Sequence, residues 1–189
     1  MKQRLLFLGP PGAGKGTQAE QLARSRSLLH LSTGDLLRQE VAQGTALGQE
    51  AAAVMARGEL VSDTLVLAIV RSRLEAQAAG GAAAAAGWLL DGFPRNLPQA
   101  EALDRLLASI GQQIELVVLM ELDDALLLQR LLSRGRDDDN ETVIRHRLEV
   151  YRQQTEPLIA YYREQGLLQA VEAAGTVAEI AARISALVD

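Results

Sequence analysis

The stretch "LLFLGPPGAGKGTQAEQLA" constrains the fold more than any other part of the chain. Leu5, Leu6, Phe7 and Leu8 form a short apolar run that reads as a buried strand. It leads into Gly9-x-x-x-x-Gly14-Lys15 and then into a helical pattern. Glycines let successive backbone N–H groups turn inward around an anion. The helix N-terminus adds partial positive charge there, and Lys15 adds a full one. A strand before such a loop and a helix after it mark a cradle for phosphate oxygens. One position departs from the general pattern: the hydroxyl residue expected directly after the lysine is Gly16, and Thr17 follows one later. A magnesium ion accompanying the phosphates is therefore expected to lean on water and phosphate oxygens.

Further short apolar runs alternate with helical spacing. "GWLL" (87–90), "IELVVLM" (114–120) and "LLQAV" (167–171) read as strands, and "LLHL" (28–31) as a weaker one. Helical stripes fall on Leu65, Ile69, Val70 and Leu74, on Leu126, Leu127, Leu131 and Leu132, and on Val143, Ile144, Leu148, Tyr151 and Leu158. Such alternation predicts an α/β fold with a parallel sheet. Helix starts are marked by Ser32 with Asp35, by Asp123, by Pro98 and by Thr176 with Glu179. The tract "AAGGAAAAAG" (78–87) reads as a low-complexity connection, with Gly80–Gly81 stopping the helix before it.

Charge and cysteine content narrow the function. The net charge is −5, which argues against nucleic-acid or membrane-surface partners, so an anionic ligand must be met by a local cluster of arginine and lysine. With no cysteines, thiolate zinc sites and disulfides are excluded. The apolar run before "GPPG" is too short for a signal peptide, and no segment has the length of a membrane span. A soluble, cytoplasmic protein is expected.

Basic residues suited to a phosphate-rich site are present: Arg38, Arg95, Arg130, Arg134, Arg136 and Arg147. Phosphoryl transfer is catalysed mainly by positioning and charge stabilisation, the work of arginines. Arg38 lies off the apolar stripe of its helix. Arg130 and Arg134 are four apart and share a face, whereas Arg147 falls inside an apolar stripe. "GWLLDGFPR" ends a buried strand in Asp91, placed to orient hydrated magnesium beside the phosphate loop. No Asn-Lys-x-Asp or Asp-x-x-Gly stretch points to a GTPase. By itself, "SRGRDDDN" (133–140) reads as a solvated charge run.

"GPPGAGKGT", "STGDLLR", "DGFPRNLPQA" and "RGRDDDN" followed by "RHRLEVY" together resemble the adenylate kinase family, in order and over nearly the whole chain. The resemblance implies a five-stranded parallel sheet flanked by helices, a P-loop NTPase core with two mobile inserts. One insert (32–61) closes over AMP, and a very short lid (133–139) closes over ATP. It implies the reaction MgATP + AMP ⇌ MgADP + ADP, in a monomer. By the same resemblance Gly12, Ala13, Gly14, Lys15, Gly16 and Thr17 hold ATP phosphates, and Gly175 lies against the ATP adenine. Thr33 and Gln99 contact the AMP adenine, Arg38 and Arg95 its phosphate. Glu59, Leu60 and Val61 line the AMP pocket with Gly92, Phe93 and Pro94. Arg130, Arg134, Arg136 and Arg147 converge on the transferring phosphoryl group. The run "SRGRDDDN" then becomes the lid in its shortest form, with Gly135 alone between two arginines where longer members carry a folded insert, some with cysteine-bound zinc. Its aspartates are expected to pair with arginines.

Uridylate/cytidylate kinases share the cradle and most of the arginines. They typically have alanine and asparagine where this chain has Thr33 and Gln99, so the polar pair favours adenine. A nucleotide-binding module without turnover is the other reading, disfavoured by the complete set of Lys15 and arginines.

Overall fold

The computed structural model describes residues 1–57, 59, 61–80, 85–137 and 139–189. Among these, the chain runs β1 (Arg4–Leu8), α1 (Lys15–Arg26), β2 (Leu29–Ser32), α2 (Thr33–Ala42), α3 (Ala46–Ala56), α4 (Asp63–Ala79), β3 (Trp88–Asp91), α5 (Leu97–Ser109), β4 (Leu116–Glu121), α6 (Asp124–Arg134) and α7 (Glu141–Val150). A π-helical turn (Tyr151–Thr155), α8 (Pro157–Glu164), β5 (Leu168–Glu172) and α9 (Val177–Val188) complete it. No helix among the described residues is long and apolar enough to cross a membrane.

All five strands are parallel, in the order β2-β3-β1-β4-β5, as the strand–helix alternation predicts. The central strands are continuously apolar because both faces are covered. Leu6, Leu8, Leu90, Val117 and Leu119 face one side and meet Val66, Val70 and Leu74 of α4, Leu103 and Leu107 of α5, and Leu158 and Tyr162 of α8. Leu5, Phe7, Leu89, Leu116, Val118 and Met120 face the other and meet Leu22 of α1, Leu127 and Leu131 of α6, Ile144 and Leu148 of α7, and Ile180 and Ile184 of α9. The alternation along each strand sorts its side chains between the two layers. The edge strands β2 and β5 are less buried, which is why "LLHL" is the weaker signal.

Several local signals hold. Asp123 accepts from the N–H groups of Ala125 and Leu126, and Thr176 and Glu179 form a capping box. Pro98 lies in the first turn of α5, and α4 stops at Ala79, with Gly80 at its end. Gly81 and the rest of 81–84 in the alanine tract lie outside the described residues. Two stripes need correction. Leu126 and Leu132 are exposed, and the buried face of α6 is Leu127 and Leu131. The stripe from Val143 to Leu158 is not one α-helix: it widens to a π turn at Tyr151–Thr155 and restarts at Pro157. Proline has no N–H to continue the hydrogen-bond ladder, so α8 begins there.

Candidate functional site

The strand order brings three strand ends together at one edge of the sheet. β1 ends in the Gly9–Gly14 loop, β2 in Ser32–Thr33 and β3 in Asp91–Gly92, and Asp91 registers with Ser32 on one side and Phe7 on the other. Ligands of open α/β sheets bind at such carboxyl ends. A cavity of about 670 Å³ opens there. Its wall includes Gly12, Gly14, Lys15, Gly16 and Thr17 of the loop, and Asp91, Gly92, Pro94 and Arg95 after β3. Arg38 of α2, Arg130 and Arg134 of α6, Arg136, and Arg147 of α7 complete the charged lining. A smaller cavity of about 90 Å³ adjoins it, lined by Thr33, Glu59, Val61 and Gln99 and sharing Arg38, Gly92, Arg95, Arg136 and Arg147 with it.

The loop geometry follows from its glycines. Gly9 has φ +147°, and a Cβ there would lie 2.5 Å from the carbonyl oxygen of Met120 on the neighbouring strand, so a side chain does not fit. α1 begins beyond Gly14 with no side-chain cap on its first N–H groups. Other helices, such as α6 and α9, are capped by their own side chains. An uncapped N-terminus facing a cavity is an anion site in search of a ligand. Lys15 Nζ donates to the carbonyls of Gly9 (2.8 Å) and Pro10 (3.0 Å) across the loop. Burial lowers its pKa to about 8, against the pull of Asp91, and nearby Arg95, Arg147 and Arg134 push the same way as burial. Ala13, within the loop, is wholly buried.

On the other side of the cavity, Arg95 is held at three atoms. Its N–H donates to Gln99 Oε1 (2.7 Å), its carbonyl accepts from Thr155 Oγ1 (2.6 Å), and its Nε donates to the Gly92 carbonyl (2.7 Å). Burial, and then Arg147 and Arg38, depress its pKa despite Asp91. Arg136 is likewise depressed by burial, Arg134 and Arg38. Arg38 pairs with Asp35; burial raises the pKa of that carboxyl, but the hydrogen bonds from Arg38 and Ser32 outweigh it and hold it low. Thr33 and Gln99 are buried, at 4% and 3% exposure, and Phe93 is part of the core. The Phe93–Pro94 peptide is cis.

The described residues of 133–139 gather around one carboxylate. Asp139 accepts from Arg134 Nε (2.8 Å) and Nη2 (2.6 Å), from the Arg136 N–H (3.0 Å) and from Arg147 Nη1 (3.4 Å). Its side chain is completely covered, and the hydrogen bond from Arg134 holds its pKa below the usual carboxylate range. Gly135, at φ +73°, ends α6 in the left-handed conformation, which glycine adopts at little cost. Asp138 lies outside the described residues, as does Leu60 of the expected pocket.

Two expected residues sit differently from expectation. Arg130 lines the cavity, but its guanidinium donates to the carbonyls of Ala173 (2.9 Å) and Ala13 (3.4 Å), tying the loop after β5 to the phosphate loop. Gly175 lies on that loop beside Glu179 and Arg183, outside the wall of either cavity. Other residues at the site gave no sequence signal. Thr155 reaches Arg95 across 60 positions, and His30 Nε2 stands 3.9 Å from Asp91 Oδ2. Asp63 accepts from Gln99.

Asp91 is buried at the end of β3, and a Cβ added to Gly16 would lie 3.6 Å from its Oδ2. The buried Asp91 carboxylate beside the phosphate loop, with Thr17 in the same cavity wall and no cluster of three or more metal-ligating side chains among the described residues, suits a cation that keeps most of its waters.

The chain is similar to known proteins over nearly its whole length. A family model described as adenylate kinase matches residues 7–167. A protein named adenylate kinase from Parasynechococcus marenigrum (strain WH8102) is 67% identical over 185 residues, 98% of each chain. One from Synechococcus sp. (strain CC9311) is 67% identical over 184 residues, 97% of each. One from Synechococcus sp. (strain CC9902) is 64% identical over 189 residues, the whole of both. With a phosphate loop, a ring of arginines and a second pocket on one parallel sheet, the chain belongs to the adenylate kinase family.

Proposed function

We propose that the two cavities hold MgATP and AMP end to end and that the protein transfers the terminal phosphoryl group of ATP to AMP, giving two ADP. The convergence of Lys15, Arg38, Arg95, Arg134, Arg136 and Arg147 on one cavity carries this reading. The chain has a net charge of −5, yet it gathers these cations until burial and mutual repulsion lower the pKa values of several of them. Two phosphorylated ligands would relieve that repulsion.

The roles proposed are these. Gly12, Ala13, Gly14, Lys15, Gly16 and Thr17 take the ATP phosphates, Arg130 in the same cavity wall joins the arginines around the transferring phosphoryl group, and the backbone at Gly175, on the loop that Arg130 ties to the phosphate loop, lies against the ATP base. Arg38 and Arg95 take the AMP phosphate. Thr33, Gln99 and the chain around Glu59–Val61, with Gly92, Phe93 and Pro94, form the AMP base pocket. Arg134, Arg136 and Arg147 stand between the two ligands, where charge develops on the phosphoryl group in transit. Asp91 holds the hydrated Mg²⁺ that, when bound, neutralises phosphate charge. In this reading residues 1–189 act as one domain and a monomer, with 32–61 as the AMP-side insert and 133–139 as a short lid that excludes water.

The test is an acceptor panel of AMP, CMP, UMP and GMP with MgATP, following ADP formation. AMP is expected to lead by a wide margin, because a buried polar pair such as Thr33 and Gln99 is left unsatisfied by the wrong base. Equal rates with CMP or UMP would move the assignment to a uridylate/cytidylate kinase.

A further inference from the structure

We infer that Asp63 is a positioning residue for base specificity: its carboxylate holds the Gln99 carboxamide in the orientation that accepts a 6-amino purine and rejects a 6-oxo purine. This rests on placing the acceptor base in the smaller cavity, with Gln99 in its wall.

The two ends of a carboxamide are nearly equal in size, so packing alone does not choose between them; hydrogen bonds do. Here both ends have unambiguous partners. The Arg95 backbone N–H donates to one end at 2.7 Å, which must therefore be Oε1. Asp63 Oδ1 stands 2.6 Å from the other end, and an ionised carboxylate only accepts, so that end must be Nε2. Reversing the amide would set its oxygen against the carboxylate and its N–H₂ against the Arg95 N–H. Asp63 is itself steadied. It opens α4, and its Oδ1 also faces Asn96 Nδ2 at 3.4 Å, while Asn96 Oδ1 caps the Gln99 N–H at 2.9 Å.

A primary amide offers two N–H donors and two carbonyl lone pairs. One of each is committed to Asp63 and Arg95, which leaves one N–H and one lone pair for a ligand. Adenine pairs its 6-amino donor with an adjacent ring-nitrogen acceptor. That edge is complementary to an N–H beside a carbonyl. Hypoxanthine and guanine carry an oxo group at the same carbon and a protonated N1, the reverse arrangement. They would require the reversed amide that Asp63 opposes. Asp63 and the Arg95 N–H, by the amide orientation they hold, separate the purines from each other.

The experiment measures kcat and KM for AMP and IMP at saturating MgATP in the wild type, Asp63→Asn and Gln99→Leu, with Tm and the KM for ATP alongside. Asparagine keeps the shape but can donate as well as accept, so the opposition to a reversed amide is lifted at this end and the Arg95 N–H alone resists it. The AMP:IMP ratio of kcat/KM is expected to fall about tenfold or more in Asp63→Asn. The change should come mostly through the two monophosphate KM values, with Tm and the KM for ATP held. Asp63→Ser supplies the same release should the asparagine variant fold poorly. A ratio within about twofold of wild type in both, while Gln99→Leu raises the KM for AMP, would reduce Asp63 to a tie between α4 and α5 and overturn the inference. An unchanged KM for AMP in Gln99→Leu would instead remove the base from this pocket altogether.

Discussion

At Lys15, burial has brought the pKa down to about 8 from an ordinary 10.5. The folded value lies below the unfolded one, so the charged form is penalised in the fold; that penalty is full below pH 8 and is relieved as pH rises toward the unfolded value. Phosphate binding asks for the charged form. Below about pH 8 the charge is already present, and above it binding must take up a proton. The Kd for MgATP is therefore expected to be flat up to about pH 8 and then to rise by as much as tenfold per pH unit. Calorimetry in two buffers of different ionisation enthalpy should show proton uptake at about pH 9. A Kd independent of pH across this range would place the phosphates away from Lys15. Arg147 yields a second expectation. Arg147→Ala removes a donor from between the ligands and should cost about 3–4 kcal/mol in kcat, with Tm close to wild type. A fall in Tm with kcat held would make it a structural arginine covering the apolar stripe of α7. The residues that carry charge to the site were legible because glycine, lysine and arginine occur in recognisable strings. The partners that aim them were not. Asp139 was one of several equivalent aspartates, and Thr155 acts on Arg95 from 60 positions away. Sharing a helix face with Arg134 did not reveal that Arg130 turns to two carbonyls.

At the level of elements, α6 and α7 meet in a segment too short to fold by itself, and its geometry depends on Gly135. No neighbour lies within 4 Å of a Cβ placed there, so a substitution is opposed by the backbone angle alone. A non-glycine residue at φ +73° costs about 1–2 kcal/mol, more for a β-branched one. Gly135→Val should escape the strain by unwinding the last turn of α6, which carries Arg134 out of register with Asp139 and Arg147. The expected result is a lower kcat and a higher KM for ATP, with Tm down by a few degrees at most. Gly135→Asn, which tolerates the same angle, should keep most of the activity. Equal loss in both variants would mean that bulk rather than backbone conformation matters. The strands and helix caps were readable as local patterns of one chain segment. The π turn was not, because the apolar stripe runs through it without interruption and only Pro157 marks the restart.

For the whole molecule, the two cavities share one set of cations, so a single two-headed ligand should organise both sides at once. Limited trypsin digestion is expected to cut after Arg134 and Arg136 in the free protein and to spare both in the presence of an ATP–AMP mimic. Equal cleavage in both conditions would leave 133–139 a solvated loop. Strand number and parallel direction were legible from the alternation of strand and helix signals. Strand order was not, since it depends on which layer each helix covers. That order also sets a timetable. β1 is made first, yet it lies in the middle of the sheet, and its neighbours β3 and β4 begin at Trp88 and Leu116. At roughly 5–20 residues per second, a growing chain carries this apolar strand with both edges unpaired for at least several seconds. During synthesis its protection must come from the ribosome, from chaperones or from transient contact with α1, until β3 and β4 emerge to enclose it.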